Sequence, residues 1–596
     1  MEINGFELYT EWHHKAVAAT TALKSKSRLL SWSRLIIFIA LIASSIAGLT
    51  SSVFFLWAAA ILLIAFIYLL VYHDKVQEAI KYHESLTGVL QDELSAYNHE
   101  YRFASGDRYS DPAHPYTYDL DVFGKDSLFG SLNRTATAHG SDKLADMFIN
   151  PLLHKDQITG NQQAIAELAE KQMWLLKFRT YGILGNKSQT SEEELLNWVS
   201  AKPLFSNKIF TLLLWIIPVT SVVMSGLVGT GVISISLFML YFALPLSISG
   251  IYAAAITRRH MQVSRKASML TNYARRLKML EKEEFSSKVM LGIQQSILNK
   301  NKPASHAINK LSRIITSMDA RLNWLMWIIL NFLLLWDIRQ MKRLEDWQHG
   351  HQDDLNRWFE ALAETEALGS LAGFYIINPS FTFPTPVNDR LTVNAVDAGH
   401  PLIPENRNIK NTISIKGPGS FNIITGANMA GKSTYLRTTG VNLVLAMTGA
   451  PVCAREFIFY PAVLYTSLHT VDSLSNNKSY FFAELERLKL IIDTLNKGET
   501  IYVFLDEILK GTNSHDKQYG SKALLRQLVT LGTAGMIATH DLDLGLLEQS
   551  FPDNIANYSF EAVIKESELM FDYKLKPGIA KNMNATFLMK QMGITL

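Results

Sequence analysis

Two long stretches of the chain are apolar and carry no charge. The first runs from Leu35 to Tyr72 and the second from Ile209 to Thr257, and neither contains Asp, Glu, Lys or Arg. Each is about twice as long as the ~20 residues that one membrane-spanning helix needs, or longer. Small polar residues and glycines interrupt each stretch near its middle, where a turn would fall. The pattern therefore predicts two helical hairpins, with about four transmembrane helices.

Basic residues flank both apolar stretches, whereas the predicted hairpin tips are uncharged. The positive-inside rule then places both tips outside the cell membrane and the rest of the chain in the cytoplasm, with membrane lipids as partners. The basic run from Arg258 to Lys282 could be a DNA-binding patch, but beside a membrane it fits anionic lipid and topology better. The flanking basic residues are Lys24, Lys26, Arg28, Arg34, Lys75, Lys202, Lys208, Arg258, Arg259, Arg265 and Lys266.

Helical periodicity marks most of the remaining chain before residue 374. A short apolar stretch from Trp324 to Trp336 predicts a helix that is either buried or grazes the membrane. Asp337 to Leu368 has apolar residues at spacings near 3.6, which predicts a long amphipathic helix. Tyr116 to Phe178 is also predicted to be helical. The apolar positions of the amphipathic helix are Leu344, Trp347, Leu355, Trp358, Phe359 and Leu362.

The pattern changes near Phe374 to short β-rich runs that alternate with helical segments. Buried strands are predicted at Phe421–Thr425, Thr500–Leu505 and Ala534–Thr539. Such alternation is typical of a parallel α/β sheet.

Composition narrows the class of protein only in part. The chain has 596 residues, of which 48% are hydrophobic, and a net charge of +3. That charge neither requires nor excludes DNA as a ligand. Cys453 is the only cysteine, which excludes a disulfide within the chain and a zinc site built from cysteines.

Residues 426–433 form a complete phosphate-binding loop between a predicted strand and a predicted helix. Glycines let backbone N–H groups curl around an anion, and the helix N-terminus adds partial positive charge. Lys432 would neutralise the β- and γ-phosphates of ATP, and the Ser433 hydroxyl would bind Mg²⁺. The candidate nucleotide-binding residues are Gly426, Ala427, Asn428, Met429, Ala430, Gly431, Lys432, Ser433 and Thr434.

Two later strands end in residues that would complete the site. Asp506 follows an apolar strand and would hold Mg²⁺, and the next residue, Glu507, would polarise the attacking water. His540 follows the third strand, where it would sense the γ-phosphate or serve a structural role. The candidate catalytic residues are Glu507, His540 and Lys432, and the candidate metal ligands are Ser433 and Asp506.

The run from Thr425 to Arg437 closely resembles the loop of the MutS DNA mismatch-repair ATPases, which have an Asn-Met pair inside it. Asp506–Asn513 resembles their second motif, with Lys510 where an arginine is expected. Ala538–Asp541 resembles their switch histidine. Asp472–Leu474 and Ser479–Glu484 resemble their signature segment. The resemblance implies that Ser479 reaches the nucleotide of a partner subunit, although it could equally cap the helix that follows.

The resemblance extends upstream and then ends. Asn133–Gly140, Pro151-Leu152 and Gln162–Leu168 resemble the start of the MutS core helical domain, and Ala363–Ala372 with His400-Pro401 resembles its end. The mismatch-reading domain, the connector domain and the DNA clamp of the repair proteins have no counterpart here. Membrane hairpins occupy their place. We therefore expect a MutS-related protein that does not read mismatches by the known route.

The resemblance implies Mg²⁺-dependent ATP hydrolysis coupled to closure of two ATPase domains in a homodimer. Two outputs of that cycle remain open: a DNA-binding machine tethered to the membrane, or a mechanical or scaffold ATPase that passes the nucleotide state to its hairpins. Transport is a weaker variant, because the four spans are uncharged.

The expected fold is an α/β P-loop NTPase domain of the ABC-like, MutS C-terminal type, joined to an all-α core and lever domain with transmembrane hairpins. The expected division is a cytoplasmic segment 1–34, hairpin 35–72, core 73–208, hairpin 209–257, lever and core helices 258–373, and ATPase domain 374–596.

Overall fold

The computed structural model describes residues 5–186, 195, 198–199, 203–205, 207–264, 267–299, 302–427, 429–468, 480–565 and 568–581. Within these ranges the chain forms two helical hairpins, a helical core and an α/β part with two sheets.

The first hairpin consists of helices α1 (Gly5–Thr50) and α2 (Phe54–Tyr97). Both helices run well beyond the apolar stretch, so the predicted separate segment 1–34 is, from Gly5 onward, the first part of α1. The helices stay paired there because Tyr9 on α1 and Leu90 on α2 are buried in one apolar cluster with Leu176 of the core. The hairpin therefore has an apolar outer half and a half that packs against the helical core.

The helical core starts with an irregular connection rather than with the helix predicted from Tyr116. Residues 110–127, here called the clasp loop, contain turns and bends but no long helix. Asp119 and Asp121 of this loop bind residues of the α/β part, and the Tyr116 hydroxyl donates to the carbonyl oxygen of Phe148, so tertiary contacts override the predicted helix. The helices that follow are α3 (Leu128–Leu132), α4 (Ala138–Ile149), α5 (Lys155–Glu170) and α6 (Gln172–Asn186).

The second hairpin consists of α7 (Lys208–Gly229) and α8 (Ile235–Ser264), each with an internal proline, Pro218 and Pro245. Together with α1 and α2, these are the four helices among the described residues that are long and apolar enough to cross a membrane. At most 11% of each apolar window is buried, which contrasts with the buried apolar residues of the core.

The remaining helices of the core lead to one long helix. The predicted amphipathic helix extends from Trp336 to Ile377, and all six of its predicted apolar positions are buried. A kink at His351, with φ −136°, interrupts its regular geometry. The elements of this part are α9 (Ala267–Lys282), α10 (Lys288–Ser296), β1 (Leu298–Asn299), β2 (Lys302–Pro303), α11 (Ala304–Met318), α12 (Trp324–Leu334) and α13 (Trp336–Ile377).

The α/β part contains a four-stranded and a six-stranded sheet. Its strands are β3 (Thr385–Pro386), β4 (Thr392–Ala398), β5 (Asn411–Lys416), β6 (Phe421–Gly426), β7 (Glu456–Phe459), β8 (Val463–Ser467), β9 (Ile501–Asp506), β10 (Ala534–Thr539), β11 (Ile555–Lys565) and β12 (Glu568–Pro577). Its helices are α14 (Lys432–Thr448), α15 (Tyr480–Asn496) and α16 (Ser514–Thr530).

The six-stranded sheet has the order β12-β11-β6-β10-β9-β8. All neighbours are parallel except the β11–β12 pair at one edge. The three predicted strands are β6, β9 and β10, and they lie side by side at the centre. Because the carboxyl ends of parallel strands meet at one edge, the loops after these strands form a common site.

The clasp loop joins the helical core to this sheet. The buried Asp119 carboxylate accepts hydrogen bonds from the Thr466 hydroxyl at 2.7 Å and the Leu468 amide at 3.0 Å. Asp121 forms an ion pair with Arg437 on α14. The loop therefore holds both β8 and the helix that starts at the phosphate-binding loop.

Candidate functional site

The candidate phosphate-binding loop connects β6 to α14 and depends on a glycine at each end. Gly426 has φ 149°, and a Cβ atom there would lie 2.4 Å from the carbonyl oxygen of Phe560 on the neighbouring strand. Gly431 has φ 107° and precedes the first residue of α14. Side chains are strained in both conformations, so these positions require glycine. Asn428 lies outside the described residues.

Lys432, the first residue of α14, has its side chain folded into the loop. Its Nζ donates hydrogen bonds to the carbonyl oxygens of Gly426 at 2.8 Å and Ala427 at 2.9 Å. The residue is buried, and burial lowers the pKa of its ammonium group from the ordinary value. The loop thus places the buried ammonium group of Lys432 beside the N-terminus of α14, where the helix dipole favours an anion.

The side chains of Ser433 and Asp506 bring together two oxygen groups that could bind a metal ion. The Ser433 hydroxyl donates a hydrogen bond to Oδ2 of Asp506, at the end of β9. Oδ1 of the same carboxylate is buried and has no hydrogen-bond partner among the described residues. Burial raises the pKa of Asp506. A hydroxyl with an unpaired carboxylate oxygen suits Mg²⁺, which takes oxygen ligands and keeps several waters and phosphates in its shell.

The described residues contain no group of three or more His, Cys, Asp or Glu side chains that could enclose a metal.

Glu507 follows Asp506 in a strained conformation with φ 47°. Its amide donates to the carbonyl of Ala538 on β10 at 2.9 Å. Its carboxylate contacts Nε2 of His540 and lies 3.2 Å from Nζ of Lys510. The hydrogen bond from His540, with added attraction from Lys510, lowers the pKa of Glu507 to about 2. The carboxylate is therefore ionised at neutral pH.

His540 connects the two sides of the site. Its Nδ1 lies 3.0 Å from the carbonyl oxygen of Gly426 and 3.5 Å from Nζ of Lys432, while Nε2 faces Glu507. The sequence left the role of this histidine open between the site and the fold. The structure places it between the phosphate-binding loop and the carboxylate of Glu507.

A cavity of about 440 Å³ opens beside the loop. Its walls include Met429, Lys432, Ser433, Thr434 and Glu507, but also residues that the sequence did not single out. A volume of this size is within the range of small-molecule sites. The additional lining residues are Ala398, Ile403, Arg407, Asn408, Ile409, Asn411, Tyr435, Thr438, Phe560 and Tyr573.

Tyr573 is the least predictable of these lining residues. It lies on β12, has φ 52°, and its ring would be 3.2 Å from a Cβ atom at Gly431. It therefore covers the phosphate-binding loop from a strand about 140 residues further along the chain. No local signal in the sequence connects the two, since the pairing of β12 with β11 and a hydrogen bond from the Asn411 side chain to the Tyr573 carbonyl bring Tyr573 to the loop.

The second motif packs against the start of α15. Glu484 is buried and its carboxylate accepts the Leu509 amide at 2.6 Å. Burial raises the pKa of Glu484. Gly511 faces Phe481 so closely that a Cβ atom would be 2.6 Å from the Phe481 Cβ. The Glu507–Asn513 segment is therefore fixed to α15. Ser479 and the Asp472–Leu474 motif lie outside the described residues.

Comparisons with known proteins match the part of the chain that contains this candidate site. The family model for MutS domain V matches residues 422–592. The chain is 29% identical to the DNA mismatch repair protein MutS of Thermotoga neapolitana over 234 residues, which is 39% of this chain and 28% of that protein. It is 29% identical to MutS of Thermotoga maritima over 248 residues, 41% of this chain and 30% of that protein.

A third relative is MutS of Synechococcus sp., 32% identical over 230 residues, 37% of this chain and 25% of that protein. The chain thus spans less than a third of the length of the curated relatives it matches. The matched part contains β6, α14, β9 and β10, which carry the site. MutS domain V is an α/β domain of the P-loop ATPase type, so residues 422–592 resemble this domain and the chain is similar there to the MutS proteins.

Proposed function

We propose that this protein is a membrane-anchored MutS-like ATPase, in which Mg²⁺-dependent ATP binding and hydrolysis drive closure of two ATPase domains. The observation that carries the proposal is the convergence of Lys432, Ser433, Asp506, Glu507 and His540 on one edge of the parallel sheet. These five residues come from three different loops, and together they supply a cation, two metal ligands and an ionised base.

Each residue has a distinct role in the proposed reaction. The backbone amides of the loop and the Lys432 ammonium bind the β- and γ-phosphates of ATP. Ser433 and Asp506 would hold Mg²⁺, which supplies positive charge to the phosphates. Glu507 accepts a proton from, or orients, the attacking water. His540 orients Glu507 and lies close enough to the loop to respond to an occupied γ-phosphate position.

Membrane anchoring rests on the four exposed apolar helices and the basic residues that flank them. In water, contiguous apolar surface on this scale would be unfavourable, whereas a bilayer covers it. The proposed orientation places the hairpin tips outside and the ATP site in the cytoplasm.

A homodimer and a DNA ligand are proposed from the similarity to the MutS proteins. Ser479 would complete the nucleotide site of the second copy. The relatives are named as DNA mismatch repair proteins, but only 25–30% of their length is covered. DNA binding is therefore the part of the proposal that most needs its own experiment.

ATP turnover by the detergent-purified protein tests the central claim. Lys432→Ala should reduce turnover to background. The substitution removes the ammonium group that donates to the loop carbonyls of Gly426 and Ala427 and that would neutralise the phosphates of ATP. The matched control is Lys497→Ala, which removes an exposed lysine from the turn before β9 and should leave turnover unchanged. Normal turnover by folded Lys432→Ala protein would refute the assignment.

The same assay addresses DNA. Turnover is measured with and without duplex, branched and single-stranded DNA at low and high salt. A DNA ligand should change turnover in a salt-dependent way, since phosphate contacts release counterions. Unchanged turnover, together with no binding of duplexes at low salt, would remove DNA from the proposal and leave the ATPase.

A further inference from the structure

We propose that α12 and the first turn of α13 form a re-entrant segment, inserted from the cytoplasmic side into the same apolar layer as α7 and α8 and covered on its outer face by lipid acyl chains. The inference rests on the membrane anchoring proposed above. It assigns a third membrane element to a stretch that is too short to span a bilayer.

Contacts with α7 and α8 set the depth of this segment. The Ser221 hydroxyl on α7 donates to the carbonyl oxygen of Phe332 at 2.9 Å. The Phe332 ring packs on Phe242 and Phe238 of α8, with centroid distances of 4.6 and 5.7 Å. Phe332 is therefore level with the outer half of the second hairpin.

The depth follows from helix geometry. The candidate span Ile209–Gly229 has 21 residues, or about 32 Å at 1.5 Å per residue, close to the ~30 Å of a hydrocarbon core. Ser221 is twelve residues beyond Ile209, which is about 18 Å along the span by the same rise. The end of α12 therefore passes the middle of the layer that the second hairpin crosses.

The chain enters and leaves this layer on the same side. Before α12, Arg321 donates from Nη2 to the carbonyl oxygen of Ala253, near the cytoplasmic end of α8, at 3.3 Å. Leu335 then reverses the chain with a left-handed conformation, φ 47°. After the reversal, Arg339 donates from Nη2 to the carbonyl oxygen of Leu214, near the cytoplasmic end of α7, at 2.5 Å.

The outer face of the segment is apolar and exposed. Trp324 is 73% exposed and Leu322 78%, and the exposed row continues along α12. Helix α12 packs against α7 and α8, which also carry exposed apolar residues, so we expect the same medium to cover all three helices. The exposed apolar residues of the row are Leu322, Trp324, Leu325, Met326 and Ile329.

The inner face is polar and turned away from that surface. Asp337 is 1% exposed, accepts the Trp327 indole N–H at 2.9 Å and pairs with Arg321 at 3.3 Å. Asn331 is fully buried, and its side-chain oxygen accepts the Asp337 amide at 3.0 Å and the Ser249 hydroxyl at 3.1 Å. Non-helical backbone and ionisable groups are tolerated at membrane depth only in such a protein-enclosed arrangement.

The polar cluster around Asp337 places an ion pair beside α7 and α8, whose apolar stretch contains no charged residue. The four predicted spans carry no ionisable residue, yet Asp337 and Arg321 are brought against them by the chain around α12. Since α13 begins in this cluster, the long helix of the core starts inside the apolar layer rather than at its surface.

Spin labels on the full-length protein in phosphatidylcholine–phosphatidylglycerol vesicles test the proposal. Cysteines are introduced singly as Met326→Cys and Ile329→Cys, with Val219→Cys on α7 as the lipid reference and Lys497→Cys as the water reference. Native Cys453 is buried, and burial raises the pKa of its thiol to about 11, so it reacts poorly.

The measured quantity is how often each spin label collides with oxygen, which enters lipid, and with a nickel complex, which stays in water. We expect the labels at 326 and 329 to collide more with oxygen than with the nickel complex, as does the label at 219. Nickel access at 326 and 329 with a lipid-like signal at 219 would overturn the re-entrant segment and leave the anchoring intact. Nickel access at 219 as well would overturn the anchoring itself. Protection from both reagents at 326 and 329 would indicate a protein partner, such as a second copy, and would also overturn the proposal.

A second variant tests the polar cluster that holds the segment. Asp337→Ala removes the partner of Arg321 and Trp327, so nickel access at residue 329 should rise several-fold as α12 detaches. The matched control is Asp346→Ala, which breaks an exposed ion pair with Lys342 on the same helix and should change nothing at 329. Equal access in both variants would refute the role of Asp337.

Discussion

At the scale of single residues, Glu507 is the most constrained group at the nucleotide site. Its backbone has φ 47°, its amide is tied to β10, and its carboxylate faces His540 and Lys510. Such strain persists only when the surroundings enforce it and is concentrated at functional sites. We therefore expect its substitution to affect chemistry more than folding.

Glu507→Gln keeps the volume of the side chain and removes its charge. ATP binding should persist, while turnover should fall by about 10²–10⁴-fold, the usual contribution of a general base. Bound nucleotide and single-turnover rate are measured separately, and light scattering with ATP should show more dimer than for the unmodified protein. Glu499→Gln, at an exposed turn, is the control. An undiminished single-turnover rate would exclude Glu507 as the base.

The lowered pKa of Glu507 also predicts a pH dependence of stability. The folded value of about 2 lies below the ordinary glutamate value of ~4.3. Its contribution to stability is therefore present above the ordinary value and is lost as pH falls towards 2. The difference in melting temperature between the unmodified protein and Glu507→Gln should shrink from pH 6 to pH 3. A difference that is equal at both pH values would contradict this account.

Much of the site could be predicted at this scale because its residues follow strands directly. Asp506 and His540 lie at the ends of apolar strands, and Lys432 ends the glycine loop that follows a third strand, so parallel pairing brings these residues together. Tyr573 could not be predicted, since its place over Gly431 depends on pairing between two strands that are not part of a motif.

At the scale of elements, the clasp loop links the helical core to the nucleotide site. Asp119 holds the end of β8, Asp121 pairs with Arg437 on α14, and Arg487 donates to the carbonyl oxygen of Pro115 at 2.8 Å. These bonds reach two helices and a strand of the α/β part. The loop is thus a direct contact through which the ATP site and the core can influence each other.

Asp119→Ala tests the contribution of this loop. The substitution removes the buried carboxylate that accepts hydrogen bonds from the Thr466 hydroxyl and the Leu468 amide, and the loss of such a charged acceptor costs about 1–3 kcal/mol. The melting temperature should fall by several degrees, and protease cleavage near residue 468 should increase. Lys125→Ala, at an exposed position in the same loop, is the control. No change in either measurement would show that the loop is held by other contacts.

The clasp loop also shows where sequence reasoning fails at this scale. Helices are predicted from Tyr116 to Phe178, yet residues 116–127 form turns and bends. The observed loop is stabilised by hydrogen-bond donors more than 300 residues away in sequence, including the hydroxyl of Thr466 on β8. The local spacing of apolar residues contains no information on such distant hydrogen bonds. For α13, in contrast, the apolar residues spaced at the helical period are the ones that are buried.

At the scale of the whole molecule, α13 connects the second hairpin to the helices that hold α14. Its 42 residues span about 63 Å at 1.5 Å per residue. Near its end, Glu366 pairs with the fully buried Arg276 of α9 and accepts the amides of Ala136 and Thr137 at 2.9 and 3.0 Å. One carboxylate therefore joins three parts of the core.

Glu366→Ala should be among the most damaging substitutions outside the ATP site. It leaves the Arg276 guanidinium buried without its counter-charge, and breaking such a pair costs about 3–5 kcal/mol. We expect a large fall in melting temperature and poor recovery from membranes. Glu364→Ala, a part-exposed neighbour that pairs with Lys143, is the control and should cost far less. Equal losses would contradict the central place of Glu366.

The predicted topology can be tested on intact cells. Ser51→Cys and Thr230→Cys place thiols at the two hairpin tips, and a membrane-impermeant maleimide should label both from outside. Lys497→Cys should be labelled only after permeabilisation. Labelling of Lys497→Cys in sealed cells, or of neither tip, would refute the proposed orientation.

The exposed apolar hairpins restrict how two copies of the chain can meet. Copies anchored from the same side of one bilayer cannot turn over, so a two-fold axis relating them must run along the membrane normal. Their encounter is then a search in two dimensions, governed by the number of molecules per area of membrane rather than per volume. A nucleotide-dependent dimer of this protein would respond to crowding of the membrane, and a DNA ligand would have to approach the bilayer to reach it.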